Sequence, residues 1–180
     1  MAEIKESEKI TGVIHVKPTI HGDSRGKFAE TYRRQWFDGQ EMVQNSRSDK
    51  EAGSLVGLHY HLNQADYWYV VRGRANVVLH DLRLGSPTEG TTEVFELGDE
   101  HENGVYIPRG VGHGFASLTD TTLMYLVDHY YDPQDEWGVA WDDPALALLW
   151  GVDNPVVSER DQQNPKRADL TPEQLPHWVG

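Results

Sequence analysis

The chain contains no cysteine. That excludes a disulfide framework and any thiolate nucleophile or thiolate metal ligand. It has no apolar run of about 18 residues, the length a membrane-crossing helix needs. Its first twelve residues, MAEIKESEKITG, lack the apolar stretch of a signal peptide. A soluble, cytoplasmic setting is therefore expected. Positive charge is scarce: 16 Lys and Arg stand against 29 Asp and Glu, a formal net charge of -13. A nucleic-acid groove needs a positive field, so no nucleic-acid partner is expected. An anionic small molecule is still allowed, because a few local arginines can override a distant average. Helical periodicity is also scarce.

What is present suits a β domain. The chain has 180 residues, 38% of them hydrophobic, with 6 Trp and 8 Tyr. That length fits one domain able to bury roughly two thirds of its unfolded surface. Short apolar runs recur, separated by Gly, Pro, Asp and Asn. They predict strands at Val13–Val16, Tyr67–Val71, Ala75–Leu82, Glu93–Leu97, Gly104–Pro108, Gly114–Leu118 and Thr122–Val127. Such spacing, about ten residues, points to a β-sandwich or barrel. A turn is expected at Gly22–Gly26, and one helical turn at Arg33–Phe37. Thr171 is expected to cap a last turn with Pro172 at its first position. Residues 1–8, mostly polar, are expected to be frayed. The Pro-containing tail, 151–180, is expected to wrap the domain.

The sharpest local feature is GSLVGLHYHLNQADYWYVVRG, residues 53–73. Strand alternation puts His59 and His61 on one face. Asp66 is expected to return to that face after a short turn. PRGVGHGF, residues 108–115, then supplies His113. Three imidazoles and a carboxylate could bind a divalent metal. A lone histidine in a strand is most simply a packed residue; the cluster of three argues against that.

The spacing of Gly53, His59, His61, Asp66 and Gly73, followed by Pro108, Gly110 and His113, resembles the two motifs of the cupin superfamily. The resemblance implies an all-β fold, a double-stranded β-helix or jelly-roll barrel with the site inside. A longer series is similar to one cupin family, dTDP-4-dehydrorhamnose 3,5-epimerase and its dTDP-sugar epimerase relatives. It comprises HGDSRGKFAET (21–31), VQNSRS (43–48), GLHY (57–60), VVLHDLRLGSPTEG (77–90), VYIPRGVGHGFASL (105–118), LMYLVDHYYDP (123–133), WDDPALALLW (141–150) and VSERD (157–161).

The family resemblance implies roles. His59 matches the base that removes a proton beside the sugar's 4-keto group. Asp161 matches the carboxylate that holds that histidine, and Tyr125 the acid that returns a proton on the opposite face. Arg25, Phe28 and Glu30 match an N-terminal segment that in relatives crosses to the partner subunit and helps hold the nucleotide. Gln44, Asn45 and Arg47 match sugar and phosphate contacts. His113 and Tyr131 match residues beside the substrate. A homodimer acting without a cofactor is implied, organised as an arm (about 1–31), a barrel core (about 32–150) and a wrapping tail (about 151–180). The chemistry is coherent: a proton beside a ketone is weakly acidic, and imidazole is a base near neutral pKa.

Three positions depart from the family pattern. Val56 stands where relatives carry a phosphate-binding Arg. Asp66 stands where they carry a Lys that faces the enolate. His61 stands where His is uncommon. The last two restore a metal pattern, which gives an alternative reading: a metal-dependent cupin, isomerase or oxygenase, with an ion on His59, His61, Asp66 and His113. A metal-bound His59 could not be the free base, so on this reading the two functions compete. A non-catalytic sugar-nucleotide binding module is a further alternative; it would not need Tyr125 and Asp161 together.

Overall fold

The computed structural model describes residues 1–179. It is built almost entirely of β-strands: β1 (Glu3–Glu6), β2 (Ile14–Lys17), β3 (Ile20–Asp23), β4 (Gly26–Ala29), β5 (Gln44–Lys50), β6 (Ser54–Tyr60), β7 (Asp66–Arg72), β8 (Arg74–Asp81), β9 (Thr92–Gly98), β10 (Gly104–Ile107), β11 (Val111–Ser117) and β12 (Thr121–Val127). Two two-residue strands follow, β13 (Trp137–Gly138) and β14 (Val156–Val157). One sheet has the order β1-β2-β10-β7-β12-β5. The other runs β13-β6-β11-β8-β9, with β14 parallel to β6. β3 and β4 form a hairpin of their own.

The two sheets pack face to face, as the composition of the core shows. One buried cluster joins Trp68, Val70, Val105, Ile107 and Leu123 of the first sheet to Val77, Leu79, Val111 and Phe115 of the second. This is the double-stranded β-sheet fold of the cupins, as expected. The expected strands are all present, with ends moved by at most three residues.

The run YWYVV lacks polar alternation because both of its faces are covered over Tyr67–Val70; Val71 is exposed. Trp68 and Val70 point into the inter-sheet core, while Tyr67 and Tyr69 pack outward against Phe37 and Tyr106. The residues doing this covering include the short 3-10 turn Arg34–Phe37, near the position expected for a helical turn. The second sheet is clad likewise. Val78 and Leu82 pack outward against Leu146, Trp150, Leu170 and Leu175. A strand buried on both faces reads as continuously apolar for this reason.

One local expectation is corrected. Residues 1–8 are not frayed: Glu3–Glu6 pair antiparallel with Ile14–Lys17. All four residues of that strand are solvent-exposed, so main-chain pairing forms it and no apolar pattern marks it. The expected turn at Thr171 is present, with Pro172 as its first residue. The segment is a turn in which Gln174 N donates to Thr171 O at 3.0 Å.

Candidate active site

A cavity of about 420 Å³ opens between the sheets. Lining it are Val56, His59 and His61 from β6 and its end, His113 and Phe115 from β11, Asp66 and Trp68 from β7, and Leu123, Tyr125 and Val127 from β12. Gln44, Ser46, Ser48 and Lys50 of β5 close one side, with Gln64, Tyr131 and Glu136.

Its strongest contact is between His59 and Asp161. His59 Nε2 lies 2.6 Å from Asp161 Oδ1, and Gly57 N donates to Asp161 Oδ2 at 3.1 Å. Asp161 is only 3% exposed. Burial works to raise its carboxyl, but the bonds from His59 and from Gly57 outweigh it, and the carboxyl is held below its ordinary range. An ionised carboxylate only accepts, so Nε2 of His59 carries the proton and Nδ1 keeps a lone pair. That is the tautomer of a base held from behind.

His59 is placed by pairing in its sheet. It lies opposite His113 in the β6–β11 register. Gly57, two residues earlier, has φ +116°. A Cβ there would come within 2.8 Å of both Gly114 Cα and His113 O, so only glycine allows this approach.

Tyr125 enters from the other sheet, where it is opposite Trp68 on β7 and Ser46 on β5. The imidazole and the phenol therefore reach the cavity from facing sheets. Asp66 also comes from the first sheet. The expectation that it shares the histidines' face after a turn is corrected: the chain crosses between sheets, and Asp66 meets the histidines across the cavity.

His113 is 5% exposed, and its Nδ1 lies 2.9 Å from Val111 O. Burial is the largest influence on it and pushes the imidazole down to about 4, against the upward pull of Asp66. His61 Nδ1 lies 2.7 Å from Asp135 O. Glu136 binds Arg160 at 2.6 Å. Burial acts upward on its carboxyl, but Arg160 and the Tyr131 hydroxyl bring it below its ordinary range. Tyr131, 62% exposed, is pushed up by the neighbouring Glu136.

The other residues singled out from sequence are dispersed in this chain. Gln44 lines the cavity, and its Oε1 accepts from Tyr131 N at 3.2 Å. Asn45 and Arg47 alternate onto the outer face of β5, where Arg47 pairs with Asp49. Arg25, Phe28 and Glu30 belong to the β3–β4 hairpin and its exit, apart from the cavity. Arg25 pairs with Asp23, Glu30 with Arg33, and Phe28 is 65% exposed. The cavity also takes Ser46, Ser48, Lys50, Gln64, Trp68 and Glu136, which the sequence motifs do not mark. For the β5 residues the signal existed: counting by twos from Gln44 gives all three.

Known proteins share this sequence pattern and fold. The family model of dTDP-4-dehydrorhamnose 3,5-epimerase matches residues 7–169. A dTDP-4-dehydrorhamnose 3,5-epimerase of Mycobacterium tuberculosis is 36% identical, covering 94% of this chain and 90% of that protein. A dTDP-4-dehydro-6-deoxyglucose 3-epimerase of a Streptomyces species is also 36% identical, over 88% and 86% of the two chains. Among solved structures, NovW, a 4-keto-6-deoxy sugar epimerase of Streptomyces spheroides, superposes with a TM-score of 0.93 at 34% identity, covering 99% and 94% of the two chains. With the family model spanning most of its length, the chain belongs to the dTDP-4-dehydrorhamnose 3,5-epimerase family.

Proposed function

We propose that this protein is an epimerase acting beside the 4-keto group of a nucleotide-linked deoxysugar, of the dTDP-sugar type. One observation carries the reading. A histidine backed by a buried carboxylate and a tyrosine line one cavity from facing sheets. His59 Nδ1 takes the proton from the carbon flanking the ketone, and the electron pair moves into an enolate. Tyr125 delivers a proton to the opposite face of the same carbon, which inverts it. Asp161 fixes the tautomer and stabilises the imidazolium. His113, kept neutral by burial, sits beside the reacting sugar, with Gln44 and Tyr131 at the cavity's edge.

The same proposal extends to the assembly. The protein acts as a homodimer in which Arg25, Phe28 and Glu30 of one protomer reach the nucleotide in the partner's cavity. Support comes from the β3–β4 hairpin, which among the described residues pairs only with itself and exposes Phe28, and from the position of β5 at the edge of its sheet. Asn45 and Arg47 face outward beside that edge and belong to the same contact region. Residues 1–180 work as one cupin-like domain with an arm, a core and a tail. No helix among the described residues is long and apolar enough to cross a membrane; the proposed setting is the cytoplasm, and the proposed partners do not include nucleic acid.

The test is deuterium exchange in D2O with several nucleotide-linked 4-keto-6-deoxy sugars, followed by NMR. Deuterium is expected at one or both carbons flanking the ketone, and none with His59→Ala. Absence of exchange across the series would overturn the reading. Exchange undiminished in His59→Ala would remove His59 as the base.

A further inference from the structure

The cavity holds a second cluster that proton abstraction and return leave unused. His61, Asp66 and His113 each present one ligand atom, and these atoms lie within 4.8 Å of one another. The residues converge from the end of β6, from β7 and from β11, so both sheets hold the cluster in place. Small side-chain torsions bring such atoms to the roughly 3 to 3.5 Å spacing of neighbouring ligands on bonds of about 2.1 Å.

The hydrogen bonds around the cluster fix where its lone pairs point. His61 Nδ1 faces the carbonyl of Asp135 at 2.7 Å, and His113 Nδ1 faces that of Val111 at 2.9 Å. A carbonyl only accepts, so both rings donate through Nδ1 and both keep the Nε2 lone pair. Asp66 Oδ1 accepts from Gln64 Nε2 at 2.8 Å, and Oδ2 from Trp68 Nε1 at 3.0 Å. Asp66 is 4% and His113 5% exposed. The cluster thus offers two imidazole lone pairs and the remaining lone pairs of the carboxylate. Each side chain is steadied from behind by a backbone carbonyl or a side-chain donor, the arrangement that orients metal ligands.

We infer that His61, Asp66 and His113 form a divalent-cation site, and that the ion polarises the keto oxygen of the substrate. The second half rests on the epimerase reading; the first does not. Two imidazoles and one carboxylate suit zinc, manganese, iron or cobalt and leave positions open for a substrate oxygen. His59 is not one of the ligands, because Asp161 already holds its Nε2. The base and the ion therefore coexist, and the competition expected from a four-ligand set disappears.

The ion also answers an electrostatic need. Among the described residues, Lys50 is the only lysine or arginine lining the cavity, which also holds Asp66 and Glu136. An enolate oxygen forming near Asp66 would be repelled; a divalent ion bound by Asp66 reverses that. The step balances without a redox partner. The C–H pair becomes the new C=C bond, the carbonyl π pair moves to oxygen opposite the ion, and the proton rests on His59. The pairs return when Tyr125 gives its proton to the carbon.

Tag-free protein purified without chelator should contain about one equivalent of metal by elemental analysis. After EDTA treatment, titration with Co²⁺ should give visible d–d bands that saturate near one equivalent. Asp66→Asn and His113→Asn should weaken Co²⁺ binding by ~10- to 100-fold. His59→Asn, and His101→Ala on the surface, should leave it intact. Should the buried variants misfold by circular dichroism, His61→Gln, at a partly buried position, gives the same reading. No saturable Co²⁺ binding, or loss of the bands in His59→Asn as complete as in Asp66→Asn, would overturn the site. Metal removal should slow carbon-bound deuterium exchange by ~100-fold, with recovery on adding Zn²⁺ or Mn²⁺. Exchange indifferent to a bound ion would overturn its role on the keto oxygen. Co²⁺ binding without exchange on any sugar would sink the epimerase reading and leave the site standing. Full exchange without Co²⁺ binding would do the reverse.

Discussion

At the residue scale, the two nitrogens of His59 have different work, and so do the two proton carriers. Nε2 is committed to Asp161 at 2.6 Å, so only Nδ1 can accept a substrate proton. Asp161→Asn keeps the size of the side chain but can present a donor, which favours the wrong tautomer and leaves the imidazolium unsupported. The expected fall in exchange rate is ~100-fold or more, with KM little changed. Tyr125→Phe should behave differently. Abstraction by His59 survives, and the imidazolium, once exchanged with solvent, can return deuterium to the face it came from. Exchange with retention should therefore persist while inversion is lost. NMR separates these outcomes. Equal loss of exchange and inversion in Tyr125→Phe would remove the tyrosine as a separate acid on the far face.

At the element scale, the strands that position the site differed in how visible they were. β7 and β8 are apolar on both faces and were plain in the sequence, as were the histidines near the end of β6. β1 and β5 are edge strands with exposed or alternating polar residues, held by main-chain pairing, and no apolar pattern marks them. The side of the cavity that β5 supplies is therefore half legible in the sequence: motif similarity marks Gln44, and no motif marks Lys50. The spacing predicts that Asp66 meets the histidines, but not the route, because residue spacing does not say when a chain crosses between sheets. The β3–β4 hairpin, marked by its Gly-Asp-Ser-Arg-Gly turn, carries a prediction. If its Phe28 completes the partner's site, Phe28→Asp should raise the substrate Kd by ~10-fold while leaving the fold intact. Mixing Phe28→Asp with His59→Ala protein, after subunit exchange, should then restore about a quarter of wild-type activity, since half the dimers are mixed and each carries one intact site. No recovery in exchanged mixtures would place the hairpin's role within its own protomer.

At the scale of the whole molecule, the buried ionisable groups set how the fold responds to acid. His80 on β8 lies under the cladding of the second sheet, 4% exposed. Its Nδ1 meets Thr92 Oγ1 at 2.8 Å, and Thr92 donates onward to Leu146 O at 2.8 Å, so the ring is the donor and needs no charge. Burial pushes this imidazole down to about 4, with Asp81 acting upward and Arg167 downward. Because the folded value lies below the unfolded one, the unfolded chain binds the extra proton between about pH 6.5 and 4. The stability His80 contributes is thus complete above that window and lost as pH falls through it. Asp81 behaves as a depressed carboxylate: burial acts upward, but Arg83, Ser86 and Thr88 hold it below its ordinary value. Its contribution is present above about pH 4 and lost on further acidification. Acid should therefore weaken the fold in two stages. The net charge of -13 also shrinks as pH falls, which relieves repulsion, but this effect is common to wild type and single variants. His80→Asn keeps a donor for Thr92 and removes the titration. Urea denaturation at pH 7 and pH 4.5 should show wild type losing roughly 2 kcal/mol more than His80→Asn over that interval. Equal losses in the two proteins would mean that His80 does not govern the first stage.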